Sequence, residues 1–556
     1  MRLRRLIVML TAGATSHLLQ CATIVQASAE SPTTLVGRVT SEAEGPMEGV
    51  VVSAKKNGVT ITTSVVTDAR GRYAFPGGRL SVGEYTITIR AVGYELDAPA
   101  LVSVTAGNAA TADLKLRKSR VLSTQLTNAE WLDSMPGSYD EKRSAFNCAL
   151  CHDYQRIVNS THKSEEWPAV FARMSRYASG TVPEKPQVMP GGDMGEAGAT
   201  AVGAGAGQRA DYLSKVNLSQ SEKWSYPLKT FDRPKGKATR VIYTEYDLPR
   251  RHIQPHDVIV GHDQMVWYAD FGDLFLGRLD PVTGAVNEYP VPSTQPGLPV
   301  GMLDFQADDD GNYWAAMLPQ NSVIKFDPRT SKFTTYLPPP ELRGRGDNIP
   351  MVSPYASKID GKIWALNGKG NILRLDVAAG KFENLGHPKD AQGHTIPIVY
   401  GIPADARNNL FLLGFADSTI GRLDAKTLKL SIFPTPPPPA MPRRGNVDSQ
   451  GRLWFAEFGA NRIGMFDPKT KAFKEWKMST PFALPYDVIV AKNGEVWTGG
   501  MHSDRVSRLN PATGEIVDYL LPRPTNIRRV FFDDAKNALW IGSNHGGSIV
   551  KVEVLD

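Results

Sequence analysis

Cys148-Ala149-Leu150-Cys151-His152 places two thiols and an imidazole within five consecutive residues. Two cysteines two residues apart, followed at once by a histidine, form the pattern of covalent haem c attachment: each thiol bonds one porphyrin vinyl group and the adjacent imidazole ligates the iron. If these residues form one helical turn, all three face one side of the porphyrin. The pattern calls for one haem c. A thioredoxin-like redox pair wants a βαβ setting that these flanks lack, and a structural zinc site wants four ligands. Cys21, the one further cysteine, lies in a segment read below as a cleaved leader, so Cys148 and Cys151 are left as the only thiols and a disulfide framework is excluded.

The segment around the motif reads as helical. Residues 131–145 can supply a first helix, Ser164-Glu-Glu-Trp167 opens a capped helix running to about Tyr177, and Gln208-Arg-Ala-Asp-Tyr212-Leu213 can form a closing one. A Gly/Ala-rich insert over 191–207 reads as a flexible loop. Residues 128–218 thus resemble a small class I cytochrome c, in which a Tyr-Leu pair near the end of the last helix packs on the haem-bearing helix. That resemblance implies Met174, in Ala172-Arg-Met-Ser-Arg176, as the sixth iron ligand. Met189, Met194 and His162 are the alternatives, and a methionine on an amphipathic helix more often fills a core. A methionine ligand raises the haem potential relative to two histidines and favours electron transfer over oxygen chemistry.

The C-terminal half is repetitive. Trp267, Trp314, Trp364, Phe411, Trp454, Trp497 and Trp540 follow one another at intervals of 47, 50, 47, 43, 43 and 43 residues, which predicts seven similar units. Thirteen residues after most of these aromatics a strand ends in an acid or its amide: Asp280, Asp327, Asp424, Asp467 and Asn510, with Asp376 one residue early. Each unit then closes on a strand such as Asn287-Glu-Tyr-Pro-Val-Pro292, but the seventh stops at Val554-Leu-Asp556 without one. Thr244-Glu-Tyr-Asp-Leu-Pro249 has the missing pattern ahead of the first unit. It is therefore expected to complete blade seven and latch a β-propeller ring, removing the unpaired edges.

Residues 240–556 resemble the streptogramin (virginiamycin B) lyase-like propellers, visible in Pro255-His-Asp-Val-Ile-Val260 with Trp267 and in Trp454-Phe-Ala-Glu-Phe-Gly-Ala-Asn461-Arg-Ile-Gly464. In a four-stranded blade the loop entering the innermost strand and the loop leaving the second strand open on one face. His256, Asp257, Arg443, Arg444, Tyr486, Asp487, Arg528 and Arg529 belong to the first kind of loop, and Asp270, Glu457, His502 and His545 to the second. Together they form a candidate pocket of histidine, carboxylate and arginine at the channel mouth. The resemblance implies a histidine base beside a magnesium site built from glutamates. His502, with His256 and Glu457, is the catalytic candidate in that reading, yet Gly500 stands where a glutamate ligand is expected.

Residues 33–118 alternate β-formers with turn residues and read as a small β-sandwich. Thr67-Asp68-Ala-Arg-Gly71-Arg-Tyr73-Ala-Phe75, Gly83-Glu-Tyr85 and Gly93-Tyr94 resemble the carboxypeptidase regulatory-like domain, a transthyretin-like fold usually without chemistry of its own. Ahead of it, Met1-Arg-Leu-Arg-Arg5, an apolar stretch over 6–19 and Ala27-Ser28-Ala29 read as a secretory signal over 1–29, too short in its apolar part to span a bilayer. Cutting after Ala29 removes Arg2, Arg4 and Arg5, so the formal charge of +6 becomes +3, which gives no reason to expect nucleic acid.

The expectation is a mainly β, multidomain chain: a β-sandwich over 33–118, a small α-helical cytochrome c domain over 128–218, a linker over 219–239 and a seven-bladed β-propeller over 240–556. Its expected setting is the periplasm or beyond, with no membrane span. Its expected role is electron transfer or redox chemistry coupled to a propeller that binds a redox partner protein or a small-molecule ligand at its mouth. A lyase opening cyclic depsipeptides and a non-catalytic surface-binding protein are the competing readings.

Overall fold

The computed structural model describes residues 34–190, 205–344 and 346–555. The leader, Cys21, Met194 and most of the 191–207 insert lie outside the described residues. The described chain is mainly β.

Each of the aromatics that set the repeat falls on the second strand of a four-stranded antiparallel unit: Val266–Asp270, Tyr313–Met317, Lys362–Leu366, Leu410–Gly414, Leu453–Glu457, Val496–Gly500 and Ala538–Ser543. The side chains are buried because the second strand packs on the neighbouring blade. The indole N–H groups of Trp314 and Trp454 each donate to an aspartate six residues earlier, Asp308 and Asp448, at 2.8 Å, which satisfies a polar atom that would otherwise be buried unpaired. The seventh unit is closed by the strand Val241–Asp247, which pairs antiparallel with Ser548–Val554 from Val241↔Val554 to Asp247↔Ser548. The segment expected to latch the ring does so.

The other edge of that latch is also paired. Ile61–Val66 of the sandwich runs antiparallel to it, with Ile242 opposite Val65 and Tyr246 opposite Ile61, so blade seven and one sandwich layer form a single eight-stranded sheet. Val51 and Val66 pack with Val241, Tyr243, Tyr519 and Leu520, and Arg90 joins Asp504 at 2.5 Å with both side chains nearly buried.

Between sandwich and propeller the chain is helical: α1 (Asn128–Ser134), α2 (Tyr139–Arg143), α3 (Tyr154–Val158), α4 (Trp167–Met174) and α5 (Ala206–Val216). The single helix expected over 131–145 is two, because Pro136 cannot continue a helix and Gly137 adopts φ 111°. Capping boxes, Thr127 with Glu130 and Ser138 with Glu141, start both pieces. The expected cap of α4 differs too. Ser164 hydrogen-bonds Asp211, and the helix begins with proline in its first turn and no side-chain cap. Residues 219–239 are strapped down rather than free: Trp224 packs on Trp131 and donates to the Val158 carbonyl at 3.0 Å, while the Phe231 N–H donates to Glu130 at 2.8 Å. No helix of the described residues is long and apolar enough to cross a membrane.

Candidate functional site

Six of the seven innermost strands carry a register shift near their start: Pro255/Asp257, Leu303/Gln306, Val399/Gly401, Pro442/Gly445, Pro485/Val488 and Ile527/Val530. A β-bulge inserts an unpaired residue and re-aims the side chains beside it. The bulges hold His256, Asp304, Tyr400, Arg443 with Arg444, Tyr486 with Asp487, and Arg528 with Arg529, and these are the residues that converge on the channel. Sequence reasoning missed Asp304 and Tyr400. Asp304 stands ten residues before Trp314, as Asp257 does before Trp267, and Tyr400 stands eleven before Phe411, as His256 does before Trp267, so aligning the blades would have found both.

Two layers result. Inside the channel Arg529 spans Asp487 (2.9 Å) and Asp304 (2.6 Å), and Arg444 also reaches Asp304 at 2.6 Å. Opposed charges at such distances in a water-poor setting hold one another in place. Beside them runs a hydrogen-bonded chain: Asp257 to His256 Nδ1 at 2.7 Å, His256 Nε2 to Tyr486 Oη at 3.2 Å, and Tyr486 Oη to Tyr400 Oη at 3.1 Å. Burial lowers the pKa of His256, partly offset by Asp257.

The layer nearer the mouth is covered by the helical segment. The α1 N–H of Ala129 donates to the His502 carbonyl at 2.8 Å, and Phe146 and Tyr154 stand edge-on to the His502 ring. Asn526 and Arg528 donate to the carbonyls of Ala149 (3.1 Å) and Leu150 (2.8 Å), His545 meets the Leu150 carbonyl at 3.0 Å, and Arg443 donates to Asn147 at 2.6 Å. On the adjoining first blade Gln254 donates to the Gly180 carbonyl at 2.7 Å, and Lys185 pairs with Asp273. The apolar core of the helices is continuous with the mouth, running from Trp131, Phe146 and Leu213 into Phe458, Leu484, Tyr486 and Met501.

The Cys148 and Cys151 thiols are unlinked and half-buried, and burial raises both pKa values. They flank the end of a 3₁₀ turn over Phe146–Leu150 rather than lying in an α-helix. Ala149, with φ -88° and ψ 19°, breaks the turn between them, so helical spacing does not by itself fix their relative direction. His152 Nδ1 lies 3.0 Å from the Asp153 carbonyl. A carbonyl only accepts, so Nδ1 carries the proton and Nε2 keeps its lone pair; burial lowers the ring's pKa and favours this neutral form. Two thiols and one ligand-ready imidazole make a donor set that fits haem c. Met174, at the end of α4, is 37% exposed. His162 packs against Trp167. Nothing in this geometry selects the sixth ligand.

The lyase candidates fall in different places. His502 is buried without a side-chain hydrogen-bond partner, and burial together with Arg443 and Arg528 holds its pKa down to about 3 against a weak opposing interaction with the Phe146 backbone. Glu457 faces its own blade: burial and the neighbouring Glu475 push its pKa up to about 9, and its other charged neighbour is Arg462. Gly500 leaves no carboxylate at its position, and among the described residues no group of three histidine, cysteine or acidic side chains converges to hold an ion. The residues present do not fit a magnesium site.

Fold and mouth together define a seven-bladed propeller capped by its own helical segment. Residues 390–555 match the virginiamycin B lyase family and residues 34–117 the carboxypeptidase regulatory-like domain, so the propeller is virginiamycin B lyase-like and the sandwich carboxypeptidase regulatory-like. Similar solved structures include a virginiamycin B lyase from Staphylococcus aureus, 19% identical, covering 57% of this chain and 100% of its own at a TM-score of 0.48. A streptogramin B lyase is 23% identical, covering 58% and 100% at 0.49. YCF48 bound to a D1 peptide is 12% identical, covering 56% and 95% at 0.44. No curated protein matches the chain.

Proposed function

We propose that this is an exported c-type haem protein that transfers electrons at a propeller mouth where a redox partner protein or a small ligand is bound. Cys148 and Cys151 would hold one haem and His152 would ligate its iron, with Met174 as the proposed sixth ligand. When bound, the haem supplies reversible one-electron chemistry. The remaining work belongs to the protein: Arg528 and His545 fix the Leu150 carbonyl, Asn526 fixes that of Ala149, and Asp153 orients the imidazole. The observation that carries this reading is the seating of the CxxCH turn on the mouth by hydrogen bonds from blade seven. It gives the propeller a reason to be fused to the motif.

The lyase reading is favoured by the family likeness of residues 390–555, at the level of fold. The cap weighs against it, because His502 lies beneath α1, Phe146 and Tyr154 and its pKa, held down to about 3, makes it a weak base.

The test is to mature the protein in a strain competent for cytochrome c assembly and record its spectrum and its haem stain after denaturation. Native protein is expected to keep stained haem on a denaturing gel, and the Cys148→Ala/Cys151→Ala protein to lose it. Native protein without covalent haem would overturn the proposal. Magnesium-dependent ring opening of a cyclic depsipeptide would put the lyase in its place.

A further inference from the structure

Three buried guanidiniums, those of Arg443, Arg444 and Arg528, and the half-buried one of Arg529 face three buried carboxylates, Asp257, Asp304 and Asp487, at the inner ends of these blades. The carboxylates all serve the inner layer, where Arg444 and Arg529 are paired. Arg443 and Arg528, 1% and 3% exposed, have no carboxylate within 4 Å among the described residues. Arg443 lies 3.8 Å over the Phe458 ring and 4.8 Å over that of Tyr400, and both guanidiniums approach the Met501 sulfur, at 3.2 and 3.8 Å. Each makes one hydrogen bond to oxygen, and in each Nε is buried without a partner. The adjacent His502 has no side-chain partner, and only the Phe146 backbone approaches its ring as a hydrogen-bond partner. Buried charge without a counter-charge is strongly disfavoured, and aromatic faces and a thioether compensate only weakly. A cluster of unspent donors around net positive charge is the chemistry of an anion site.

We infer that Arg443 and Arg528, with His502 beside them, bind a compact carboxylate under the cap at the propeller mouth. The inference deepens the reading of the mouth as a ligand site and does not depend on the haem. A carboxylate could come from a free small molecule or from a haem propionate. Arg528 donates to the carbonyl of Leu150, inside the attachment turn, and thioether bonds are made at the vinyl edge of a porphyrin, opposite its propionates. The geometry therefore assigns the pair to a free carboxylate. Because both guanidiniums are buried beneath the helical segment, that carboxylate is small.

The test follows the thermal midpoint of the full-length protein with rising sodium formate, at constant ionic strength set with the bulkier sodium gluconate. A ligand that binds only the folded state raises the midpoint as its concentration passes Kd. Native protein is expected to show this rise. Arg443→Met and Arg528→Met are expected to lose the response; each removes an uncompensated charge but also a hydrogen bond to the cap, so the readout is the formate-dependent shift and not the starting midpoint. Arg443→Lys is expected to keep part of that shift. A flat native titration overturns the proposal, as do variants that respond equally. Should the methionine variants fail to fold, broadening of the ¹³C-formate resonance by native protein, reversed by nitrate, supports the site, and an unbroadened resonance overturns it. The Cys148→Ala/Cys151→Ala protein is expected to respond like native. A response confined to that protein identifies a propionate as the occupant and overturns the free carboxylate. Native protein without haem would end the redox proposal while leaving this titration readable.

Discussion

His502 sits among Phe146, Tyr154 and Phe458, with Arg443, Arg528 and His545 as the charged or titratable groups near it. Its pKa is lowered on folding, so protonation favours the unfolded chain. The stability this neutral ring contributes is complete above the ordinary value near 6.5 and is lost as pH falls toward about 3. Over that window the loss approaches about 1.4 kcal/mol per pH unit. His502→Phe keeps an aromatic ring in an aromatic nest and removes the titration. Denaturant melts from pH 7 to pH 4 are expected to show native protein losing stability faster than this variant, with the gap growing toward low pH; parallel curves would contradict the assignment.

At the scale of elements, α1 is tied to the rest of the cap through Glu130. One carboxylate oxygen accepts the Thr127 N–H at 2.8 Å and the other accepts the Phe231 N–H at 2.8 Å, so one side chain closes the helix start and ties down the strap over 219–239. Thr127→Ala removes a cap worth about 1 kcal/mol. Glu130→Ala strands two backbone donors and is expected to cost more, about 2–4 kcal/mol. Hydrogen exchange is expected to show lost protection across residues 128–158 in both variants, with the blade strands unchanged. Uniform loss across the blades would mean that cap and propeller unfold as one unit.

For the whole molecule, the strand Val241–Asp247 decides whether the ring closes, and the sandwich decides whether that strand's outer edge is covered. A chain starting at residue 250 lacks the strand and is expected to aggregate, because Ser548–Val554 is left as an open edge. A chain starting at residue 235 keeps the ring but uncovers the edge that Ile61–Val66 pairs, and loses the contacts of Val51 and Val66. It is expected to remain folded and melt at a lower temperature than the full chain. Light scattering and calorimetry separate the two, and equal behaviour would show that the strand does not latch the ring.

The aromatic period showed the propeller in the sequence, because each blade repeats one local pattern and buries its second strand in the same way. The latch was legible for a related reason: a pattern missing from the last unit reappears ahead of the first. The CxxCH motif was legible because its chemistry is contiguous. What only the tertiary structure decided is who meets whom. Leu150 is held by Arg528 and His545, nearly 400 residues away, and no local periodicity encodes that contact. The break of α1 from α2 at Pro136 could have been read locally; the direction of Glu457 could not, since it depends on Glu475 across the sheet. Likewise Arg443 and Arg444 are neighbours of one type in the sequence, and only the bulge and the surrounding blades leave one paired with Asp304 and the other without a counter-charge. Propensity and spacing are properties of neighbouring residues, whereas burial and charge balance are set by the distant surfaces that folding brings together.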